Sequence, residues 1–174
     1  MPFFASSTSH LRTPRFVLFS LVFLLVSLLT LAQVNLKFRL LAGYALSSDA
    51  PVNKGKPTLF VFEQAETFGQ VFQTATTSGK RPDQPNFGRE MVIGIALAPT
   101  KTPPKLNVSK VFVQDSTLTV RYIRQVDSAF IDKPQSSASQ PIMIVAIPKQ
   151  TLLRTKLVEN GRVVQTLRKR EKEE

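Results

Sequence analysis

Apolar and polar residues alternate without a break near the start of the chain, from residue 34 to residue 40 (VNLKFRL). Successive side chains of a β-strand point to opposite faces, so this alternation predicts a single strand. The strand would place Val34, Leu36, Phe38 and Leu40 together on one buried face.

Three later segments are apolar almost throughout and are bounded by turn residues. Residues 58–62 read TLFVF, residues 91–97 read MVIGIAL, and residues 141–147 read PIMIVAI. Short continuous apolar runs of this kind are typical of buried strands. We predict that 91–97 is a central strand and that the other two segments are also buried strands.

Two pairs of β-rich segments are separated by turn residues and predict hairpins. Residues 110–113 and 117–123 flank Gln114-Asp115-Ser116, and residues 155–167 contain Asn160-Gly161 at their centre. Asn-Gly favours a two-residue type I′ turn, because both central positions of that turn need a positive φ. The second hairpin is therefore the better specified of the two.

One stretch has helical rather than β periodicity, residues 63–75 (EQAETFGQVFQTA). Its apolar residues recur at spacings of three and four and form one stripe, as in an amphipathic helix. The members of the stripe are Ala65, Phe68, Val71, Phe72 and Ala75. The fold class predicted from these patterns is mostly β, an antiparallel and sandwich-like arrangement with one short helix near 63–75. A single β-rich domain would span 33–167, followed by a charged tail at 168–174 (RKREKEE).

The N-terminal 32 residues have the composition of an export signal. Arg12 and Arg15 precede a 16-residue apolar run, 16–31, and the small residue Ala32 follows it. This order of basic, apolar and small residues is typical of a secretory signal peptide, so we predict cleavage after Ala32 and an extracytoplasmic (periplasmic or secreted) domain. The alternative is an uncleaved N-terminal membrane anchor, since the apolar length lies at the low end of what spans a bilayer.

The composition removes several kinds of chemistry from the exported domain. The chain has no Cys, and its one histidine, His10, lies in the predicted signal peptide. The usual zinc ligand sets and the Ser-His-Asp and Cys-His nucleophile systems are therefore excluded, and no phosphate-binding glycine motif occurs. We predict neither a cofactor nor a metal site, and no enzymatic activity. Two catalytic alternatives remain. One is a carboxylate pair formed by Asp127 and Asp132, against which stands a simple solvated loop. The other, weaker one is a Ser-Lys dyad at Ser109-Lys110, whose side chains would point opposite ways on a strand.

The chain is strongly basic, with a formal net charge of +11. Loss of residues 1–32 removes two of its 23 cationic residues and none of its 12 acidic ones, which leaves +9. Such an excess attracts anionic partners. The cations are spread along the sequence and form no aromatic-plus-basic nucleic-acid motif, so we expect no nucleic acid partner. Anionic envelope glycans, acidic proteins and lipid headgroups fit an exported domain better, and solubility alone is the competing explanation.

The order and spacing of four segments resemble a known family of exported bacterial domains, the PrcB-like family, named after a subunit of the dentilisin protease complex. The resemblance covers roughly residues 59–149. The segments that carry it are 59–73 (LFVFEQAETFGQVFQ), 85–97 (PNFGREMVIGIAL), 110–122 (KVFVQDSTLTVRY) and 140–149 (QPIMIVAIPK). The resemblance implies a non-catalytic role as a partner or stabiliser of a secreted protease or of another envelope complex.

The sequence departs from this family in one loop. Where the family carries Thr-Gly-Gly-Tyr after the long strand, this chain has residues 99–105 (PTKTPPK). The glycines are absent and the adjacent prolines stiffen the turn, so any partner contact made by that loop would be changed here.

These observations lead to two functional hypotheses. In the first, the domain binds another envelope or secreted protein through the loops 99–105 and 127–140, or through a sheet edge by strand addition. In the second, it is a basic envelope-surface module that binds anionic glycans or lipids. The candidate contact residues are Thr100, Lys101, Lys105, Asp127, Asp132 and Lys133.

Overall fold

The structure is a computed structural model that describes residues 33–75 and 81–169. The predicted signal peptide or anchor, 1–32, lies outside the described residues, as does the end of the predicted charged tail, 170–174. Within the described ranges, no helix is long and apolar enough to cross a membrane.

The described chain forms eleven strands, one α-helix and one turn of 3-10 helix. In chain order these elements are β1 (Val34–Asn35), β2 (Arg39–Leu40), β3 (Tyr44–Leu46), β4 (Thr58–Phe62), α1 (Ala65–Val71), β5 (Phe72–Thr74), β6 (Glu90–Ala96), β7 (Lys105–Gln114), β8 (Thr117–Gln125), the 3-10 turn (Ser128–Phe130), β9 (Ile142–Pro148), β10 (Arg154–Glu159) and β11 (Arg162–Arg168).

The strands make two main sheets and a small ribbon. The first sheet has the order β1-β7-β8-β10-β11, the second has the order β2-β9-β6-β4, and β3 pairs with β5. All neighbouring strands are antiparallel except β8 and β10, which are parallel. The prediction of a mostly β, sandwich-like fold with one short helix is confirmed.

The main core lies between the two sheets. Inward side chains of the first sheet, such as Val120 and Leu157, pack with Ile93, Ile95 and Val145 of the second. The outer face of the second sheet is covered in turn, because Phe68 of α1 and Phe72 of β5 pack on it. The second sheet is therefore buried on both faces. That position explains why β6 and β9 are apolar throughout and not alternating.

The N-terminal alternation does not form one buried strand. The chain pairs with β7 at Val34–Asn35 and then crosses to pair with β9 at Arg39–Leu40, so it joins a different sheet at each end. Both short strands lie at sheet edges, and Val34 is 56% exposed, Phe38 39% and Leu40 54%. The prediction that these residues share a buried face with Leu36 is wrong, and only Leu36 packs against the core.

The helix is shorter than its periodicity indicates. It begins at Ala65 and ends at Val71, and the next residue, Phe72, has extended backbone with φ −119° and ψ 121°. Phe72 is the first residue of β5, which pairs with β3. The last residues of the predicted helix are therefore extended, because pairing with β3 outweighs their helical propensity.

The predicted tail begins later than residue 168. Arg168 is the last residue of β11, opposite Arg154. The next residue, Lys169, donates its backbone N–H to Leu153 and its ammonium lies 2.8 Å from the carboxylate of Glu63. The first two residues of the predicted tail are therefore part of the folded domain.

Both predicted hairpins are present, and both have two-residue turns with positive φ. The β10–β11 turn has φ 47° at Asn160 and 85° at Gly161, as a type I′ turn requires. The β7–β8 turn has φ 48° at Asp115 and 53° at Ser116, while Gln114 belongs to β7. The Asn160 amide also bonds the backbone of Arg124, accepting from its N–H at 3.0 Å and donating to its carbonyl at 3.2 Å.

We predict that Asn160→Gly lowers the free energy of unfolding by about 1 to 2 kcal/mol, because it removes these two hydrogen bonds while keeping a residue that accepts positive φ. Urea unfolding of the purified protein measures the change. Asp115→Gly is the matched control, since Asp115 has the same backbone conformation and its carboxylate bonds no group in the described chain. Equal effects of the two substitutions would contradict a structural role for the Asn160 amide.

Candidate functional site

The two loops chosen as candidates for partner contact lie together. The backbone N–H of Thr100 donates to the carbonyl of Ser139 at 2.8 Å, and the N–H of Ser139 donates back to Thr100 at 2.9 Å. The N–H of Gln135 also donates to the carbonyl of Lys101 at 2.9 Å. Residues 99–104 and 126–140 therefore form one continuous feature, here called the loop surface.

Two of the candidate residues anchor the loop surface to the sheet. Lys105 is the first residue of β7 and not a loop residue, and its ammonium lies 3.4 Å from the carboxylate of Asp127. That carboxylate also accepts from the N–H of Ala129 at 3.1 Å, as an N-cap of the 3-10 turn. The Asp127 side chain is thus engaged twice in holding the local fold.

The other candidates differ in exposure. Thr100 is half-buried, because its backbone forms the bridge to Ser139, while Lys101, Asp132 and Lys133 are exposed. None of these three charged side chains belongs to an ion pair within the described residues. They are therefore available to a partner.

The loop surface also exposes two large apolar side chains that the sequence analysis did not single out. Val126 is 75% exposed and Ile131 is 59% exposed. An apolar centre with charged residues at its rim is the usual composition of a protein–protein contact. Val126 could have been noticed in the sequence, since it is an apolar residue between Gln125 and Asp127, whereas Ile131 directly follows Ala129 and Phe130 and gives no such signal.

A shallow cleft of about 390 Å³ lies beside the loop surface, lined by Thr100, Thr102, Pro104, Arg124, Val126, Glu159 and Asn160. The carboxylate of Glu159 accepts a hydrogen bond from the hydroxyl of the buried Tyr122, and the Arg124 guanidinium lies 3.8 Å from the same carboxylate. Burial of Tyr122, and next its hydrogen bond to Glu159, raise the pKa of the phenol far above its usual range. The cleft offers hydroxyl, guanidinium and carboxylate groups that can hydrogen-bond a peptide or another polar ligand.

Glu159 could not be recognised as a site residue from the sequence. Its neighbour in space is Tyr122, which is opposite it in the parallel β8–β10 ladder. That pairing joins strands separated in the chain by β9 of the other sheet, so no local pattern predicts it.

Cations that are far apart in sequence converge on the outer face of the first sheet. In the ladders Lys110 is directly opposite Arg121, Lys156 is opposite Thr119, and Arg154 is opposite Arg168. Residues opposite one another share a face, and that face points away from the core because Leu118 and Val120 point into it. We call the face that carries Lys110, Arg121, Arg154, Lys156 and Arg168 the basic face.

Neither metal-ligand geometry nor similarity to known proteins adds an assignment. The described residues contain no group of three or more His, Cys, Asp or Glu side chains placed to hold a metal ion. No family model, no curated protein and no solved structure matches the chain.

Proposed function

We propose that this chain is an exported, non-catalytic domain that binds another protein through the loop surface. The observation that supports the proposal best is the hydrogen-bonded junction of the two loops at Thr100 and Ser139. It joins two segments 39 residues apart into one surface, on which Val126, Ile131, Lys101 and Lys133 are all exposed. Exposed apolar residues rimmed by charge favour a protein partner.

The proposed partner is an envelope or secreted protein, and the resemblance to the PrcB-like family suggests a secreted protease or its complex. The loop that departs from the family, 99–105, supplies part of the loop surface. We therefore propose that this chain contacts its own partner with a proline-stiffened loop. A stiff loop loses less conformational entropy on binding than a glycine-rich one.

Features of the β7 edge support the loop surface over strand addition at that edge as the route of contact. On one side, β1 covers β7 only near Phe112 and Val113, which leaves the rest of that edge without a neighbouring strand in the described chain. That open part carries Lys105 and Lys110 and a bulge at Ser109. Lysines and bulges are features by which edge strands avoid pairing with other chains.

Substitution of exposed loop residues tests the proposal. The full-length tagged chain is expressed in its source cells, envelope complexes are captured, and retained proteins are identified by mass spectrometry after washes at about 0.1 M and about 1 M salt. We expect the natural chain to retain a partner at high salt. Lys101→Ser/Ile131→Ser/Lys133→Ser should weaken that retention at least about tenfold, because it removes one of the two exposed apolar side chains and two cations.

Val52→Ser/Lys54→Ser/Lys56→Ser is the matched control. These residues lie in another exposed loop, and the variant also removes one apolar side chain and two cations. Retention by the control together with loss by the loop variant supports the proposal. Full retention by the loop variant places the contact elsewhere on the domain, and loss of every protein at high salt from the natural chain contradicts a protein-binding role.

A second candidate function is the binding of anionic envelope glycans or lipid headgroups. The convergence of five cations on the basic face favours it. Such binding depends on exposed charges and is therefore expected to weaken strongly as salt shortens the Debye length from ~10 Å at 0.1 M to ~3 Å at 1 M. The two candidate functions thus differ in the salt dependence of what the domain retains.

A further inference from the structure

The basic face contains two pairs of like charges in positions where strands usually avoid them. Lys110 lies directly opposite Arg121, and Arg154 lies directly opposite Arg168. Like charges opposite one another on adjacent strands destabilise a sheet, and local violations of this kind are expected mainly at functional sites. Two such pairs on one face indicate that the face is organised for something other than stability.

A β-bulge places Lys110 on this face. Leu106 and Val108 point into the core before the bulge, and Val111 points into it afterwards. Strict alternation from Val108 would turn residue 110 inward as well. The ladder shifts between Val108 and Lys110, with Ser109 as the extra residue, and the shift turns Lys110 outward beside Arg121. Re-aiming a side chain is a known role of bulges.

Phe112 holds the first pair of cations in place. The Lys110 ammonium lies 5.3 Å from the centroid of its ring, and the Arg121 guanidinium carbon lies 5.4 Å from the same centroid. Both distances are within the range of cation–π attraction. The buried ring holds both cationic groups close together and so preorganises them to bind an anion.

The charge of the basic face is not neutralised within the described chain. Its four ion pairs use Arg39, Lys105, Arg124 and Lys169, and none of them involves a cation of this face. Strands β7, β8, β10 and β11 contain one acidic residue, Glu159, which is opposite the inward Tyr122. Within the described residues this face therefore has no complementary negative charge, which favours the binding of an anion.

We propose that the basic face binds a linear polyanion, an anionic glycan chain carrying sulfate, phosphate or carboxylate groups. The cations form a diagonal band from β7 across β8 and β10 to β11, roughly 20 Å long at the spacings of a sheet. A band one or two cations wide matches a chain with repeating charge better than the broad plane of a bilayer. This proposal rests on the second candidate function and assigns its ligand and its site.

Binding of the full-length chain to fluorescently labelled dextran sulfate tests the assignment. Lys110→Gln/Arg121→Gln/Lys156→Gln removes three cations of the band and keeps much of the aliphatic stems that cover Phe112. We expect this variant to bind roughly ten- to a hundredfold more weakly at low salt, as three exposed charge contacts would contribute. Lys54→Gln/Lys56→Gln/Arg89→Gln removes the same charge elsewhere and is expected to bind within about threefold of the natural chain.

Two further measurements separate the possible outcomes. The thermal unfolding midpoint of the band variant should stay unchanged or rise, because the substitutions relieve like-charge repulsion; a clear fall would show that the band serves stability and would overturn the proposal. Equal losses of dextran sulfate binding in both variants would assign binding to the net charge and overturn the site.

The choice of ligand is tested with a second probe, vesicles with anionic headgroups. Binding to these vesicles but not to dextran sulfate would overturn the choice of ligand, and binding to neither probe would contradict the second candidate function itself. Protein capture is expected to be unaffected by the band variant, so this proposal and the protein-binding role fail independently.

Discussion

Gly94→Ala is expected to lower the free energy of unfolding by roughly 2 to 3 kcal/mol, the cost of overpacking a well-filled core. Gly94 lies in the middle of β6, paired with Phe60 of β4 and Ile144 of β9. A Cβ at this position would stand 2.5 Å and 2.7 Å from two ring atoms of Phe72. Chemical denaturation of the natural and substituted proteins measures the difference.

The Phe72 ring has no room to move away from an added methyl group. It meets Phe60 and Phe62 edge-on, with centroid separations of 5.9 Å and 5.8 Å, and it is tilted against Phe68 at 5.5 Å. Close packing of this kind transmits strain to the neighbours. Gly94 thus lets the β5 segment approach the central sheet closely enough to bury Phe72.

A second glycine gives the matched control. Gly69 lies on α1, and apart from its chain neighbours and the backbone of its own helix no atom lies within 4 Å of the position that its Cβ would occupy. Gly69→Ala should therefore stabilise the protein by about 0.5 to 1 kcal/mol through helix propensity alone. Phe72→Leu replaces the ring by a smaller side chain, so Gly94→Ala should lower the free energy of unfolding less in that background. A double-mutant cycle without coupling between residues 72 and 94 would contradict this account of the glycine.

The apolar runs predicted the central layer correctly because burial on both faces leaves a direct record in the sequence. A strand such as β6 has no face for polar residues, so its position can be recognised from the strand alone. The N-terminal alternation failed for the opposite reason. Alternation indicates a strand with two unlike faces, but it does not indicate that the chain changes sheets between Asn35 and Arg39. Because of that change, Val34 and Leu40 lie exposed at sheet edges.

The basic face lay partly within reach of sequence analysis. The inward residues run Leu106, Val108, Val111 and Val113, so the alternation slips by one residue at Ser109-Lys110 and marks the bulge. The convergence of Lys110 with Lys156 and Arg168 was out of reach, because it depends on the parallel pairing of β8 with β10. The chain leaves the first sheet for β9 before it returns, and nothing local specifies where it returns.

The loop surface was likewise predictable only in part from the sequence. Polar, proline-rich composition identified both loops as candidates, and the structure then joined them through the backbone of Thr100 and Ser139. Backbone hydrogen bonds between segments 39 residues apart leave no trace in residue type. The roles of Lys105 and Asp127 as mutual anchors were missed for that reason, since each looked in isolation like an exposed charge.

The stability of the domain is expected to fall steeply above about pH 10 because of Tyr122. The folded state raises the pKa of this phenol, first through burial and then through the Glu159 hydrogen bond, whereas the unfolded chain ionises it near pH 10. The folded state therefore binds the proton more tightly, so the contribution to stability is complete below about pH 10 and is lost as the pH rises beyond it. The expected loss is about 1.4 kcal/mol for each further pH unit.

Tyr122→Phe isolates this contribution from those of the lysines and of the other tyrosine, Tyr44, whose pKa is also raised, mainly by burial and next by Asp83. At neutral pH the substitution removes the hydroxyl donor to the half-buried Glu159 carboxylate and should destabilise the domain by about 1 to 3 kcal/mol. The difference between the two proteins should then shrink by roughly 2 kcal/mol between about pH 10 and about pH 12, since only the natural chain carries the phenol that must ionise.

Urea unfolding over this pH range measures the difference, and ultraviolet absorbance of the phenolate follows ionisation directly. Tyr44→Phe is the paired variant, and it should leave the Tyr122 contribution in place because Tyr44 packs with Phe68 on the other face of the second sheet. Stability curves of the natural chain and Tyr122→Phe that stay parallel through this range would show that the phenol ionises equally in both states. Since the hydroxyl donates to Glu159, which lines the cleft, that result would also contradict a role for this hydrogen bond in holding the Glu159 carboxylate in place.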